Sequence, residues 1–116
     1  MPIGSCRALG ACVMALSLLA ACGKKVEYPA EVQRATYGSC VQAFKAKAPA
    51  DLGNVDAKAK GYCQCVLDGL QDKVPLQDFQ RYEQLLISAG PAAERERLEK
   101  AVVAVADVCL KRLPTF

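Results

Sequence analysis

From residue 30 onwards the apolar positions recur with the period of a helix. In "AEVQRATYGSCVQAFKAKA" (30–48), Tyr37, Cys40, Val41, Phe44 and Ala48 follow the i, i+3, i+4, i+7 spacing of a buried helical face. Pro49 ends that helix, and "PADLGNVD" supplies a turn with Asn54 or Asp56 as the next N-cap. A second helix, "AKAKGYCQCVLDGLQDKV" (57–74), carries the cleanest stripe in the chain: Ala59, Tyr62, Cys63, Val66, Leu67, Leu70 and Val74. Pro75 stops it and suits the first turn of a third helix, "PLQDFQRYEQLLISA" (75–89), with Leu76, Phe79, Tyr82 and Leu86 inward. Gly90 and Pro91 repeat that punctuation as C-cap and first helical residue. A fourth helix then runs to Leu113, with Leu98, Ala101, Val102, Val105, Cys109 and Leu113 inward. Four helices joined by short turns predict an all-α fold, a four-helix bundle or a pair of helical hairpins.

The first residues follow another pattern. "MPIGSCR" has one charged side chain, Arg7, and "ALGACVMALSLL" continues as an unbroken apolar or small run. It is shorter than the roughly twenty residues that span a bilayer, and its layout is that of a secretory signal. Leu19, Ala20, Ala21 and Cys22 then resemble the lipobox of a bacterial lipoprotein signal peptide. The resemblance implies that residues 1–21 are removed and that Cys22 becomes the first residue, carrying a diacylglyceryl thioether and an acylated amine. On that basis residues 22–30 are a lipidated cysteine and tether, "GKKVEYP" included, and 31–116 the folded domain. Several acyl chains hold firmly, at about 0.8 kcal/mol per buried methylene, so the mature protein is expected to be anchored to a membrane without spanning it. Gly23 stands where an aspartate would favour inner-membrane retention, and the resemblance therefore implies the outer membrane, facing the periplasm.

The chain has seven cysteines. Cys6 and Cys12 would leave with the signal and Cys22 would carry lipid. Cys40, Cys63, Cys65 and Cys109 remain, an even set in an oxidising compartment, which points to two disulfides. Two positions along a helix differ by about 200° around its axis, so Cys63 and Cys65 in "YCQC" point to opposite sides and each must reach a different element. An antiparallel hairpin brings Cys40 level with this pair. Cys63 shares the apolar stripe, whereas Cys65 lies on a strip with Gly61 and Gly69, whose lack of side chain permits another helix to approach. This favours Cys40–Cys63 with Cys65–Cys109 over Cys40–Cys65 with Cys63–Cys109. Each bridge is worth roughly 3–4 kcal/mol in the chain-entropy model, which suits a small domain with a modest core. A cysteine followed by an aromatic on the first helix, then "YC-x-C" and a late cysteine, also resembles small secreted four-cysteine helical proteins of bacteria. That resemblance implies a disulfide-stapled helical fold and no particular activity.

The chain contains no histidine, which excludes Ser-His and Cys-His nucleophiles and every His-containing metal site. Beyond the signal the serines are Ser39 and Ser88, neither in a nucleophile-elbow context. Copper(I) binding or redox chemistry at the C-x-C pair would need its thiols close together, and mid-helix they point apart. Asp68 and Asp72 share a helical face, where solvated carboxylates are the ordinary reading. Arg95 with Glu99, and Glu96 with Lys100, are spaced for exposed i, i+4 salt bridges. Lys45, Lys47, Lys58 and Lys60 fall near the first turn, interrupted by Asp51 and Asp56. A net charge of +3 is too weak to suggest nucleic acid. Lys24 and Lys25 are placed to meet anionic headgroups, at about 1 kcal/mol each.

No catalytic residues, no metal ligands and no cofactor other than a covalent lipid on Cys22 are therefore expected. The sequence points to a non-enzymatic, membrane-anchored lipoprotein acting through protein–protein interaction, as an accessory subunit of an envelope or secretion complex or as an inhibitor or immunity-type binder. A periplasmic small-ligand or soft-metal carrier is the alternative. Tyr37, Phe44, Tyr62, Phe79 and Tyr82 are read as core, and any of them left open in a groove would mark a binding surface.

Overall fold

Three prolines set the starts of helices in the computed structural model, which describes residues 27–116. Helix α1 covers Ala30–Lys47, α2 Val55–Lys73, α3 Leu76–Ile87 and α4 Ala92–Lys111, and a 3-10 turn follows at Leu113–Thr115. Pro29, Pro75 and Pro91 occupy the N-cap positions of α1, α3 and α4 in extended backbone. Their carbonyls accept the first helical bonds, from Gln33, Phe79 and Arg95 at 3.0, 3.0 and 3.1 Å. Pro75 and Pro91 are thus N-caps rather than first helical residues, each one residue before the observed starts at Leu76 and Ala92, and a missing N–H is equally harmless there. Asn54 is the N-cap of α2, but in a left-handed conformation directly after left-handed Gly53, and its side chain makes no capping bond. Helix α4 ends at Lys111 rather than Leu113, because Pro114 has no N–H and its ring would crowd the carbonyl four residues earlier.

The fold is an all-α, four-helix bundle with no β-strand among the described residues, stapled by two disulfides. Helix α2 is central, packed on α1 and on α4, while α3 folds back on α4. Leu67, Leu70 and Val74 of α2 meet Phe79 of α3, Val105 of α4 and Tyr28 in one buried cluster. Ala59, Cys63, Leu98 and Cys109 are also buried. The sulfurs join Cys40 to Cys63 and Cys65 to Cys109, with Cα–Cα separations of 5.7 and 5.8 Å. Where Gly69 faces α4, a Cβ built on it would lie 2.5 Å from a Val105 methyl. The two helices therefore approach so closely that any side chain at this position would have to displace that methyl. Gly61, one turn before Cys65, lies in the same way beneath the Phe116 ring.

Three inward assignments differ from the sequence pattern. Leu86 is 59% exposed, and its neighbour Leu85 is buried instead. Leu85 closes over Gly90, which is not the C-cap of α3; Ser88 is, and both its amide and its hydroxyl donate to the Gln84 carbonyl. Ala101 faces solvent beside Ala104. In α1 the expected stripe is only partly covered, and no residue of that helix is fully buried, because α1 packs on α2 alone.

Tyr28 belongs to the segment read as tether, yet it is 2% exposed. Its ring stacks 5.5 Å from Phe79. Its hydroxyl donates to the Val74 carbonyl at 2.7 Å and approaches that of Leu70 at 3.2 Å, and its amide donates to Gln71 Oε1 at 2.9 Å. Burial first, then the charges of Glu83 and Asp78, push the hydroxyl up to about 12. The folded unit thus begins ahead of α1, at the C-terminal end of α2.

Candidate functional site

The end of α1, the turn after it and the end of α4 leave an uncovered hollow over Tyr62. Pro49 forces the chain out of α1, because the residue before a proline is pushed from helical to extended backbone, as Ala48 is. Leu52 of the turn and Phe44 of α1 form one wall, Tyr62 of α2 the floor, and Leu110 and Leu113 the other wall. The groove has a volume of about 510 Å³ and opens to solvent. Phe44 and Tyr62 lie with ring centroids 5.4 Å apart and planes tilted by 39°, within the range of favourable aromatic pairs. Both were read as core residues; both are only partly covered.

The chemistry of this groove is that of apolar contact. Its lining groups with a titratable atom are Lys47, at the rim, and Tyr62. Burial, followed by the charge of Asp107, raises the Tyr62 hydroxyl above its ordinary value, so it is neutral and able to donate a hydrogen bond. Cys40, in the wall, is bonded to Cys63. The basic residues near the turn are mostly engaged. Lys45 and Lys60 reach Asp56 at 2.6 and 2.9 Å, and Lys58 donates to the Phe116 carbonyl at 3.4 Å. The hydrogen bond from Lys45, then that from Lys60, lowers Asp56 to about 2.

A second groove of about 540 Å³ runs on the other flank of α2, over the Cys65–Cys109 bridge and between Gly69, Ala101, Ala104 and Val108. Asp68 and Asp72 stand on its edge, both exposed. Asp68 accepts from Gln64 at 3.0 Å and Asp72 pairs with Lys73 at 3.5 Å. Both lie at the surface, and each is engaged by a neighbour on its own helix rather than by the other.

The expected bridges of Arg95 with Glu99 and Glu96 with Lys100 do not close. The ion pair on α4 is instead between helices: Arg81 Nε and Nη2 donate to Glu94 Oε1 at 3.1 and 2.7 Å. A guanidinium held across the α3–α4 hairpin forms a fixed fork, whereas the i, i+4 pairs on the open face lose more side-chain freedom than they gain.

Cys22 and the lipobox lie outside the described residues. Among those described, no three Cys, Asp or Glu side chains gather as a metal site, and no helix is long and apolar enough to cross a membrane. Tyr28 had one signal in the sequence, an aromatic immediately ahead of a helix N-cap, where a residue commonly packs back on the core. The groove had none, since it arises from what fails to cover Phe44 and Tyr62. Compared with protein-family models, with curated proteins and with solved structures, the chain matches none.

Proposed function

We propose that the protein is a non-enzymatic lipoprotein, held to the bacterial envelope by lipid on Cys22, which binds a protein partner through the groove over Phe44 and Tyr62. The observation that carries this reading is the groove's lining: two aromatic rings and several aliphatic side chains left open, with one lysine at the rim. Aromatic side chains in a desolvated pocket are the usual anchors of protein interfaces. The groove suits an apolar or aromatic side chain of the partner, with a carboxylate beside it to meet Lys47. Its position supports the same reading. Tyr28 fixes the chain's approach at the C-terminal end of α2, whereas the groove sits at the α1–α2 turn, the far end of both helices. A partner can reach it without meeting the membrane.

A small apolar ligand is the second reading, favoured by the groove's volume, which falls in the range of small-molecule sites. The soft-metal form of a carrier requires free thiolates, and the four cysteines of the domain are bonded in pairs.

Photo-crosslinking in the native envelope tests the proposal. A photoreactive residue at Phe44 should trap a discrete protein, and one at Glu96, on the exposed face of α4, should not. Phe44→Asp in an otherwise native chain should abolish the adduct formed from a photoreactive residue at Leu110. Equal labelling at Phe44 and Glu96 would sink the reading, and recovery of a small molecule with the native protein would replace it by the carrier.

A further inference from the structure

The α3–α4 turn, with the last residues of α3, exposes the most solvent-accessible of the large hydrophobic side chains, Ile87. Residues 85–93, "LLISAGPAA", carry no charge; Leu86 is 59% exposed and Ile87 88%. Leu85 anchors the turn from inside by closing over Gly90, and Arg81 with Glu94 ties its two stems together. Its outward leucine and isoleucine are therefore presented at the fixed C-terminal end of α3.

The location of this turn follows from register. Val105 faces Gly69 and Cys109 is bonded to Cys65, so α4 runs antiparallel to α2, and residues 92–98 continue past the last turn of α2. At 1.5 Å per residue that overhang is about 10 Å. It lies at the end of α2 to which Tyr28 is pinned. Ile87 is eight residues beyond Phe79, on which Tyr28 stacks, a rise of about 12 Å along α3. From Cys22 to Tyr28 the chain can reach at most about 20 Å in any conformation. A lipid on Cys22 is thus within reach of the turn, whereas the opposite end of the bundle lies a further helix length from Tyr28.

We infer that the α3–α4 turn is a second membrane contact: Leu86 and Ile87 insert into the interfacial layer of the bilayer that holds the Cys22 lipid. This rests on the lipoprotein reading proposed above. Two signals in combination convert a tethered domain into an oriented one, the acyl chains supplying attachment and the turn supplying tilt. Lys24 and Lys25, in the intervening peptide, supply charge complementary to anionic headgroups.

The chain has no tryptophan, so one introduced residue reports without background. Full-length processed protein carrying Ile87→Trp, and separately Val103→Trp on the side of α4, is reconstituted into vesicles of phosphatidylethanolamine and phosphatidylglycerol, with and without bromine on the acyl chains. Flotation of the vesicles reads the lipid anchor independently. The expected result is flotation of both variants, with blue-shifted emission and about twofold or greater quenching by brominated lipid for Ile87→Trp only, as for a side chain at the headgroup–acyl boundary. Flotation without quenching at Ile87→Trp overturns the contact and leaves the anchor standing. Equal quenching at Val103→Trp overturns the orientation, and failure to float overturns both readings. A blue shift that depends on protein concentration in lipid-free detergent would assign the turn to a second copy of the chain and overturn the membrane contact. Since Ile87 is exposed, the substitution spares the core. Ile87→Asp with Leu86→Asp, in a native-like helical fold that still floats, should lose the protection of the turn from protease on vesicles.

Discussion

The Tyr28 hydroxyl donates a 2.7 Å hydrogen bond to the carbonyl of Val74, 46 positions along the chain. It joins the residue ahead of the first helix's N-cap to the C-cap carbonyl of the second. With the stacked contact to Phe79, it makes a short peptide ahead of the bundle part of its core.

Tyr28→Phe keeps the ring and removes that donor. The Val74 carbonyl then lacks a partner, and urea unfolding should show a loss of about 1–2 kcal/mol. Tyr28→Ala, which also empties the ring's place, should cost about 3–5 kcal/mol.

The same hydroxyl makes stability depend on alkaline pH. Its folded value of about 12 lies above the ordinary 10.0, so the neutral form is favoured by folding. The contribution is fully present below pH 10 and is lost progressively as pH rises through 12. The unfolding midpoint of the native protein should fall across that window more steeply than that of Tyr28→Phe, and parallel slopes would show that the hydroxyl titrates as if in water.

Two glycines separated by two turns of α2 should respond differently to alanine. At Gly69 the new methyl meets Val105 on a helix fixed by a disulfide one turn away, and Gly69→Ala should cost about 1–3 kcal/mol in spite of alanine's better helix propensity. At Gly61 it meets the near end of the Phe116 side chain, Cγ at 2.5 Å and Cβ at 2.7 Å, and relief requires that single residue after the 3-10 turn to shift as a whole, with no packed helix to move. Gly61→Ala should lie within about 1 kcal/mol of the native protein. Thermal unfolding of both variants measures the difference.

The disulfides close loops of unequal length, with separations of 23 and 44 residues. Replacing Cys40 and Cys63 by alanine should cost about 3 kcal/mol and replacing Cys65 and Cys109 about 4. The second pair is the more severe loss for a further reason: it fixes the helix that carries the α3 hairpin. Near-ultraviolet circular dichroism of the two double variants should show tertiary packing better preserved without Cys40–Cys63.

Acid should weaken the two turns together. Asp56 is held at about 2 against an ordinary 3.8, and the Arg81 hydrogen bond lowers Glu94 from 4.5. Depressed carboxylates contribute stability above their unfolded values and lose it as pH falls through the folded ones. Asp56 is exposed and Glu94 half-buried at the surface, so the effect should be small and screened by salt. Asp56→Asn with Glu94→Gln should flatten the dependence of the urea midpoint between pH 5 and pH 2.

The sequence pattern is most legible where a helix is surrounded. Helix α2 is covered on two flanks, and its stripe from Ala59 to Val74 corresponds to its buried side. In α3 the adjacent Leu85 and Leu86 satisfy a helical stripe equally well, and the choice is made by the pitch of a short helix against α4 and the gap over Gly90. Helix α1 packs on one neighbour, so a correct period overstated its burial. The groove was not legible because Phe44 and Tyr62 have the spacing of core residues, and only the absence of a further covering element leaves them open. Tyr28 was obscured by its setting beside residues that resemble a lipobox, after which a polar tether is the ordinary expectation.

Cys63 and Cys65 also govern how the oxidised chain arrives at one state. Exchanging their partners would require α2 to turn by about 160° around its own axis, carrying Leu67 and Leu70 from the interior to water. A mispaired molecule is thus an inside-out one. It exposes apolar surface, it is less stable by much of the core, and with the core opened its disulfides are accessible to thiols. Thiol exchange therefore runs downhill to the native pairs, and two cysteines one residue apart act as a proofreading device written into a single helical turn.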